Sequence, residues 1–174
     1  MSECKVSGGG PDISFARLPQ IDPAEIIAHM SDPRVTAHLP LATEPWDAAY
    51  CANFIAVKEE AWARDGLGHG AFLVDRVYAG WGGFQKVDED WDFGLVLRRE
   101  FFGLGPRIIR AALDFARSDP RIDHATFLLA PSRPHLRGLE RLGAVPVGPV
   151  KYANQKFVKY RLEFGGAGSP FENA

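Results

Sequence analysis

Cysteine is scarce in this chain: two in 174 residues, Cys4 near the start and Cys51 in a helical stretch. That excludes a disulfide framework and any cysteine-based metal centre, and leaves Cys51 as a packing residue. Excess charge is also missing. Twenty Lys and Arg against 22 Asp and Glu give a formal charge of -2, so no global field gathers nucleic acid or an anionic membrane surface. No segment approaches the ~18 continuous apolar residues of a membrane span, and the opening stretch Met1–Gly10 lacks the apolar core of a signal peptide. The expectation is a soluble, cytoplasmic protein with neither nucleic acid nor membrane as partner. A composition of 46% hydrophobic and 24% charged residues excludes disordered and collagen-like chains, and the length suits one domain of ~100–200 residues.

Gly, Ser and Pro crowd the two ends, which predicts flexible tails over residues 1–12 and 165–174 around a single domain, 13–164. Inside it, Ile13–Arg17 alternates with the period of a strand, and Asp22-Pro23-Ala24-Glu25 opens a short helix running to about Met30. Thr43-Glu44-Pro45 is expected to open a second helix, with Trp46, Tyr50, Phe54, Val57 and Ala61 as its apolar stripe, stopped by Gly66 and Gly68. Three antiparallel strands are expected next: Ala71–Val74 and Val77–Phe84, joined by Asp75-Arg76, then Trp91–Leu97 after an acidic turn. A helix over Pro106–Ser118, with Ile108, Ile109, Ala112, Phe115 and Ala116 on one face, leads to a buried strand at Ala125–Leu129. A helix at Ser132–Leu142, stopped by Gly143, and two strands around Val145–Val150 and Phe157–Phe164 complete a mixed α/β order.

The chemistry concentrates in Leu95-Val96-Leu97-Arg98-Arg99-Glu100-Phe101-Phe102-Gly103-Leu104-Gly105-Pro106-Arg107. A strand runs through a glycine-containing loop into a helix, which converges backbone N–H groups and the positive helix end on one spot suited to an anion. Gly103 and Gly105 allow close backbone approach, and Pro106 preorganises the first turn. Arg107 and Arg110 lie where the macrodipole disfavours cations, and residues 98–110 carry a net charge of +3, which a bound phosphate explains. Solvated arginines beside an ordinary connecting loop are the plain alternative. The third glycine of a dinucleotide fingerprint is missing, no Gly-Lys-Ser/Thr follows, and no G-x-S-x-G is present, which disfavours NAD, nucleotide hydrolysis and serine hydrolase chemistry.

The run Asp92-Phe93-Gly94-Leu95-Val96-Leu97 leading through Glu100-Phe101-Phe102-Gly103-Leu104-Gly105 into an amphipathic helix resembles motif A of the GCN5-related N-acetyltransferases (GNAT). The element order over about 150 residues and the ending Leu139-Glu140-Arg141-Leu142-Gly143-Ala144 resemble the RimJ/RimL branch. The resemblance implies an α/β (α+β) fold: a mixed, mostly antiparallel sheet of about seven strands, splayed between strands 4 and 5 and flanked by about four helices. It implies transfer of an acetyl group from acetyl-CoA to a primary amine by direct attack in a ternary complex, with no metal.

Carried over by residue, it implies that the loop Phe101 to Gly105 binds the CoA pyrophosphate through backbone amides, with Arg98, Phe102, Gly103, Leu104, Gly105, Pro106 and Arg107 among the cofactor-binding residues. Leu95, Val96 and Leu97 pair with the pantetheine amides and hold the thioester carbonyl through a backbone N–H. Ser132 stands where the family often has Asn. Leu139 stands where a Tyr commonly protonates the leaving thiolate, which leaves protonation by solvent, or His135 or Tyr152 as substitutes. Asp92 falls where a branch member often carries a Glu base, and a carboxylate accepting the amine's proton through water contributes ~10²–10⁴-fold. Trp46 and Tyr50 are acceptor-site candidates, with core packing as the alternative. A small-molecule or peptide amine is the implied partner, whether protein N-terminus, antibiotic or polyamine, and a homodimer stays open. A non-catalytic acyl-CoA-binding or regulatory module of the same fold is the rival reading, and a structural domain binding nothing is the next.

The remaining candidates carry less. Asp88, Glu89, Asp90 and Asp92 read either as a lure for a cationic amine or as a solvated turn. His69 between two glycines reads as an exposed or capping residue or as the border of a cleft. His29, His38 and His124 have no ligand partners at metal spacing. Lys151, Lys156, Lys159 and Arg161 are too sparse for a nucleic-acid surface.

Overall fold

The computed structural model describes residues 9–132 and 137–164. The expectations for residues 1–8 and 165–174, and the role proposed for His135, lie outside the described residues. Among the described residues seven strands form one sheet: β1 (Ile13–Ala16), β2 (Gly70–Val74), β3 (Val77–Val87), β4 (Asp90–Leu97), β5 (His124–Leu129), β6 (Val145–Tyr152) and β7 (Gln155–Glu163). Their order is β1-β2-β3-β4-β5-β7-β6, and every neighbouring pair is antiparallel except β4 and β5, which are parallel. This is the expected mixed sheet.

Local chemistry sets the joints. Asp75 and Arg76 adopt φ of 49° and 67°, the geometry of a two-residue turn whose twist suits the β2–β3 hairpin. Ala153 and Asn154 do the same, at 47° and 61°, between β6 and β7. Asp12, at the expected domain edge, is tied to the first of these turns: its N–H donates to Asp75 Oδ1 at 2.9 Å and its carbonyl accepts the Asp75 N–H at 2.8 Å.

Among the described residues five α-helices pack around the sheet: α1 (Pro23–Met30), α2 (Pro33–Thr36), α3 (Ala48–Asp65), α4 (Gly105–Ser118) and α5 (Arg137–Arg141). Asp22 caps α1 by accepting the Ala24 N–H at 2.9 Å, and Asp32 caps α2 in the same way at Arg34. The four-residue α2 is additional to the expected set. The helix expected from Thr43–Pro45 instead begins at Ala48, because Asp47 accepts the Tyr50 N–H at 2.8 Å and fixes the N-cap there. Gly66 ends it at φ 71°. Val57, expected on the buried stripe of α3, is exposed, while Cys51 and Ala61 are buried.

Alternation along β4 divides the core. Trp91, Phe93, Leu95 and Leu97 join Ile108, Leu113 and Ala116 of α4 in one cluster, and Val96 joins Ile26, Met30 and Cys51 on the other face. Ile108 and Leu113 are essentially inaccessible; truncating such a leucine to alanine costs roughly 2–5 kcal/mol. Among the described residues no helix is long and apolar enough to cross a membrane.

Candidate functional site

The contact between β4 and β5 is one rung, Asp92↔Thr126. On its other side β4 is fully paired to β3, from Val87↔Asp90 to Gly80↔Leu97. The sheet is therefore continuous through Asp92 and opens beyond it. Leu95, Val96 and Leu97 present their second edge to no strand among the described residues. Two glycines hold β3 against this blade: a Cβ on Gly80 would lie 2.2 Å from the Val96 carbonyl oxygen, and one on Gly82 would lie 2.1 Å from that of Gly94. Only glycine permits that approach.

Above the open edge the chain turns into α4. Arg98 braces the turn: its N–H donates to the Ala79 carbonyl at 2.8 Å, and its guanidinium donates to the Tyr78 carbonyl at 3.2 Å and to Glu100 at 3.0 Å. Glu25 of α1 is 3.5 Å away. Residues Arg99–Leu104 form a 3₁₀ turn rather than an open loop. Helix α4 then starts at Gly105 with Pro106 in its first turn, and no side chain among the described residues caps it. Neither Gly103 nor Gly105 needs a left-handed backbone. Among the described residues, a Cβ on Gly103 would meet nothing within 4 Å, and one on Gly105 only Leu97 Cδ1 at 3.7 Å. The glycines thus leave open space in front of an uncapped helix end, a geometry that fits a phosphate. Phe102 is half-exposed beside it. The Arg107 guanidinium lies against Gly10, close enough to exclude a Cβ there.

Asp92 is buried on the β4 face opposite α4, and Thr126 donates its hydroxyl to Asp92 Oδ1 at 3.1 Å. Burial pushes this carboxyl up to about 7, while the Thr126 hydrogen bond and the charge of Lys159 pull the other way. Of the acidic run ahead of it, Asp90 is paired within the fold. Asp90 Oδ2 accepts from Lys159 Nζ at 2.5 Å and Oδ1 contacts His124 at 2.8 Å, with Arg161 at 3.6 Å, so its charge is spent locally.

Lys58 of α3 comes over the same face. Its Nζ donates to Gln85 Oε1 at 2.9 Å, and Gln85 is the β3 residue directly opposite Asp92. The rings of Phe54 and Trp81 flank the ammonium at 5.6 and 5.5 Å. Burial lowers this amine to about 8, opposed by the charge of Asp92. His69, also buried, lies 5.5 Å from the Trp81 ring. Both its ring nitrogens are buried without a hydrogen-bond partner among the described residues. Its backbone carbonyl accepts Trp62 Nε1 at 2.8 Å. Burial first, and the Lys58 charge second, hold this imidazole well below its ordinary value, in the neutral form. Trp46, Tyr50 and Phe54 continue the wall outward, Trp46 lying 5.0 Å from both neighbours and Phe54 5.0 Å from Trp81.

The sequence candidates thus fall into three places. Asp92, Leu95–Leu97 and Phe102–Arg107 follow one continuous strand, turn and helix end. Trp46 and Tyr50 line the α3 side. Ser132 sits just past β5, its Oγ 3.3 Å from His38 Nδ1. Leu139 of α5 packs against the core. Among the described residues no group of His, Cys, Asp and Glu is gathered to hold a metal.

The sequence reading missed Lys58, Gln85 and Thr126 and gave His69 little weight. One signal is present: Lys58 is four residues after Phe54, on the stripe itself, where the sequence pattern favours Val57.

Comparison with known proteins gives a family and a fold. The family model described as an acetyltransferase (GNAT) domain matches residues 15–145. No curated protein matches the chain. Among solved structures, an acetyltransferase from Agrobacterium tumefaciens str. C58 superposes with a TM-score of 0.71 at 16% identity, over 94% of this chain and 96% of the other. RimL, a ribosomal L7/L12 alpha-N-protein acetyltransferase in complex with coenzyme A, gives 0.72 at 11%, over 90% and 95%. Spermidine N-acetyltransferase from Vibrio cholerae, in complex with CoA and spermine, gives 0.67 at 13%, over 87% and 95%.

Proposed function

The chain belongs to the GNAT acetyltransferase family, and from that footing we propose that it acetylates a primary amine, on a protein N-terminus or a small molecule, in the manner of the RimJ/RimL branch. The observation that carries this is the single β4–β5 rung below an uncapped helix end. It leaves a strand edge for pantetheine to pair with and a set of N–H donors for a diphosphate, on one line that ends at Asp92.

In this reading acetyl-CoA lies with its pyrophosphate on Phe102–Arg107, the first-turn amides and the helix dipole supplying the attraction. Arg98 braces that turn. Its pantetheine arm runs down the free edge of Leu97, Val96 and Leu95, where a fixed backbone N–H meets the carbonyl oxygen as negative charge develops on it. The thioester then stands near Asp92. An incoming ammonium must lose a proton before its nitrogen attacks, and a carboxyl balanced near neutrality is matched to that task. Trp46 and Tyr50 wall the approach from α3, and Ser132 stands on the β5 side.

A second reading has its own observation. Leu139, at the position where the family commonly has a Tyr, packs into the core and offers the leaving thiolate no proton. That favours a chain that binds acyl-CoA without turnover, unless solvent protonates the thiolate. Thermal shift with CoA, followed by thiol release over a panel of amines, separates the two: binding and release support the transferase, whereas binding without release supports the module. Absence of binding sinks both, since a ligand at 100 Kd stabilises by ~2.7 kcal/mol.

A further inference from the structure

We propose that Lys58 is an internal acyl acceptor: the protein transfers an acetyl group from acetyl-CoA to the Nζ of its own Lys58. The inference rests on the acetyl-CoA reading above and extends it to a modification site.

Three placements carry it. Lys58 Nζ is bonded to Gln85 Oε1 at 2.9 Å, and Gln85 stands opposite Asp92, the residue at which β4 and β5 make their one rung before parting. The amine is therefore at the apex of the opening, where a pantetheine arm laid along Leu97 to Leu95 delivers its thioester. It also comes from α3, so it is on the face of the sheet that an external acceptor must use. Second, the two rings beside it, Phe54 and Trp81, restrict a side chain that would otherwise sample solvent. Third, no carboxylate among the described residues is within ion-pair distance of Nζ, so the nitrogen is held by an uncharged amide that lets it go at little cost.

The burial that lowers this amine to about 8 supports the same step. At pH 7 roughly one molecule in ten carries it neutral, against about one in three thousand for an ordinary lysine. The step balances. The Nζ lone pair forms a bond to the acetyl carbonyl carbon and the carbon–sulfur bond breaks, its electrons leaving with the CoA thiolate. The nitrogen's surplus proton passes to the Asp92 carboxylate, and solvent protonates the sulfur. The product is a neutral amide that removes a cation from beside His69.

The test uses the full chain with acetyl-CoA alone, read by intact mass, peptide mapping and CoA thermal shift. The expected result is a gain of one acetyl group, at Lys58, at least about 100-fold faster than at exposed Lys151 or Lys156. That gain is absent from Lys58→Arg and slowed by about 10²-fold or more in Asp92→Asn. A chain that CoA stabilises but whose Lys58 stays unmodified overturns this proposal alone. Acetylation spread evenly over surface lysines, or unchanged by Asp92→Asn, overturns it as well. A chain that CoA does not stabilise overturns the acetyl-CoA reading, and this proposal with it.

Discussion

Thr126 donates its hydroxyl to Asp92 Oδ1 at 3.1 Å across the rung that joins the two halves of the sheet, so the site's acid is tuned by the strand on the far side of the opening. Burial raises the carboxyl to about 7 and this hydrogen bond opposes the rise. If Asp92 accepts the acceptor's proton, turnover falls as pH drops through about 7. Replacing Thr126 with Val removes a bond that favours the ionised form, so the acid limb of kcat should move to higher pH. Asp92→Asn should lower kcat by roughly 10²–10⁴-fold with little change in KM for acetyl-CoA. Thiol release from pH 5.5 to 9 checks both; a limb that stays put in Thr126→Val removes Asp92 from the pH profile.

The same carboxyl has a cost in stability. Its folded value lies above the 3.8 of the unfolded chain, so the native state holds a proton that the unfolded state releases. Stability from this group is full below about 3.8 and is lost as pH rises through about 7, by on the order of 4 kcal/mol in total. Asp92→Asn is expected to raise Tm at pH 8 and to leave it nearly unchanged at pH 4. An activity-dead variant that is more stable in alkali is the signature of a charge kept for function.

Glycines on the two sides of the blade answer different demands. A Cβ on Gly82 would meet the Gly94 carbonyl at 2.1 Å with φ at 152°, so Gly82→Ala should destabilise the fold by about 3 kcal/mol, read by urea unfolding. A Cβ on Gly103 meets nothing within 4 Å among the described residues, so Gly103→Ala should unfold within ~0.5 kcal/mol of the parent. Gly105→Glu should fold and yet lose CoA binding, because it places bulk and negative charge in front of the helix end. A preserved Kd in that variant shows that the diphosphate sits elsewhere.

The strand–turn–helix from Asp92 to Arg107 was legible in the sequence because its signals are local: alternation, two glycines and a Pro at the helix start. So were the hairpin at Asp75-Arg76 and the stop at Gly66. What escaped reading depends on pairing across long separations. Nothing near Thr126 in the chain marks it as a partner of Asp92, 34 residues away. The contact of Lys58 with Gln85 needs α3 to lie across β3. His69, flanked by glycines that read as loop, is buried because Trp62 and Trp81 close over it. The start of α3 differs from the local signal for it: Thr43-Glu44-Pro45 offers start signals, but the Asp47 side chain makes the hydrogen bond that decides the cap.

Two buried histidines impose the opposite pH slope from Asp92. His29, whose Nδ1 lies 2.9 Å from the Tyr78 hydroxyl, is lowered by burial to about 4, and His69 is held well below 6.5. Each is neutral in the native state and protonated in the unfolded chain over the interval between its two values. The stability they contribute is complete above 6.5 and drains away as pH falls, by about 3 kcal/mol for His29 by pH 4. His29→Gln keeps a polar partner for Tyr78 and no longer titrates, so its unfolding free energy should fall less steeply between pH 6.5 and 4 than that of the parent. His69→Gln should flatten the same interval independently, since no contact links the two rings. Urea unfolding at half-unit steps reads the slopes, and a His29→Gln curve parallel to the parent's would mean that His29 is already charged in the folded protein.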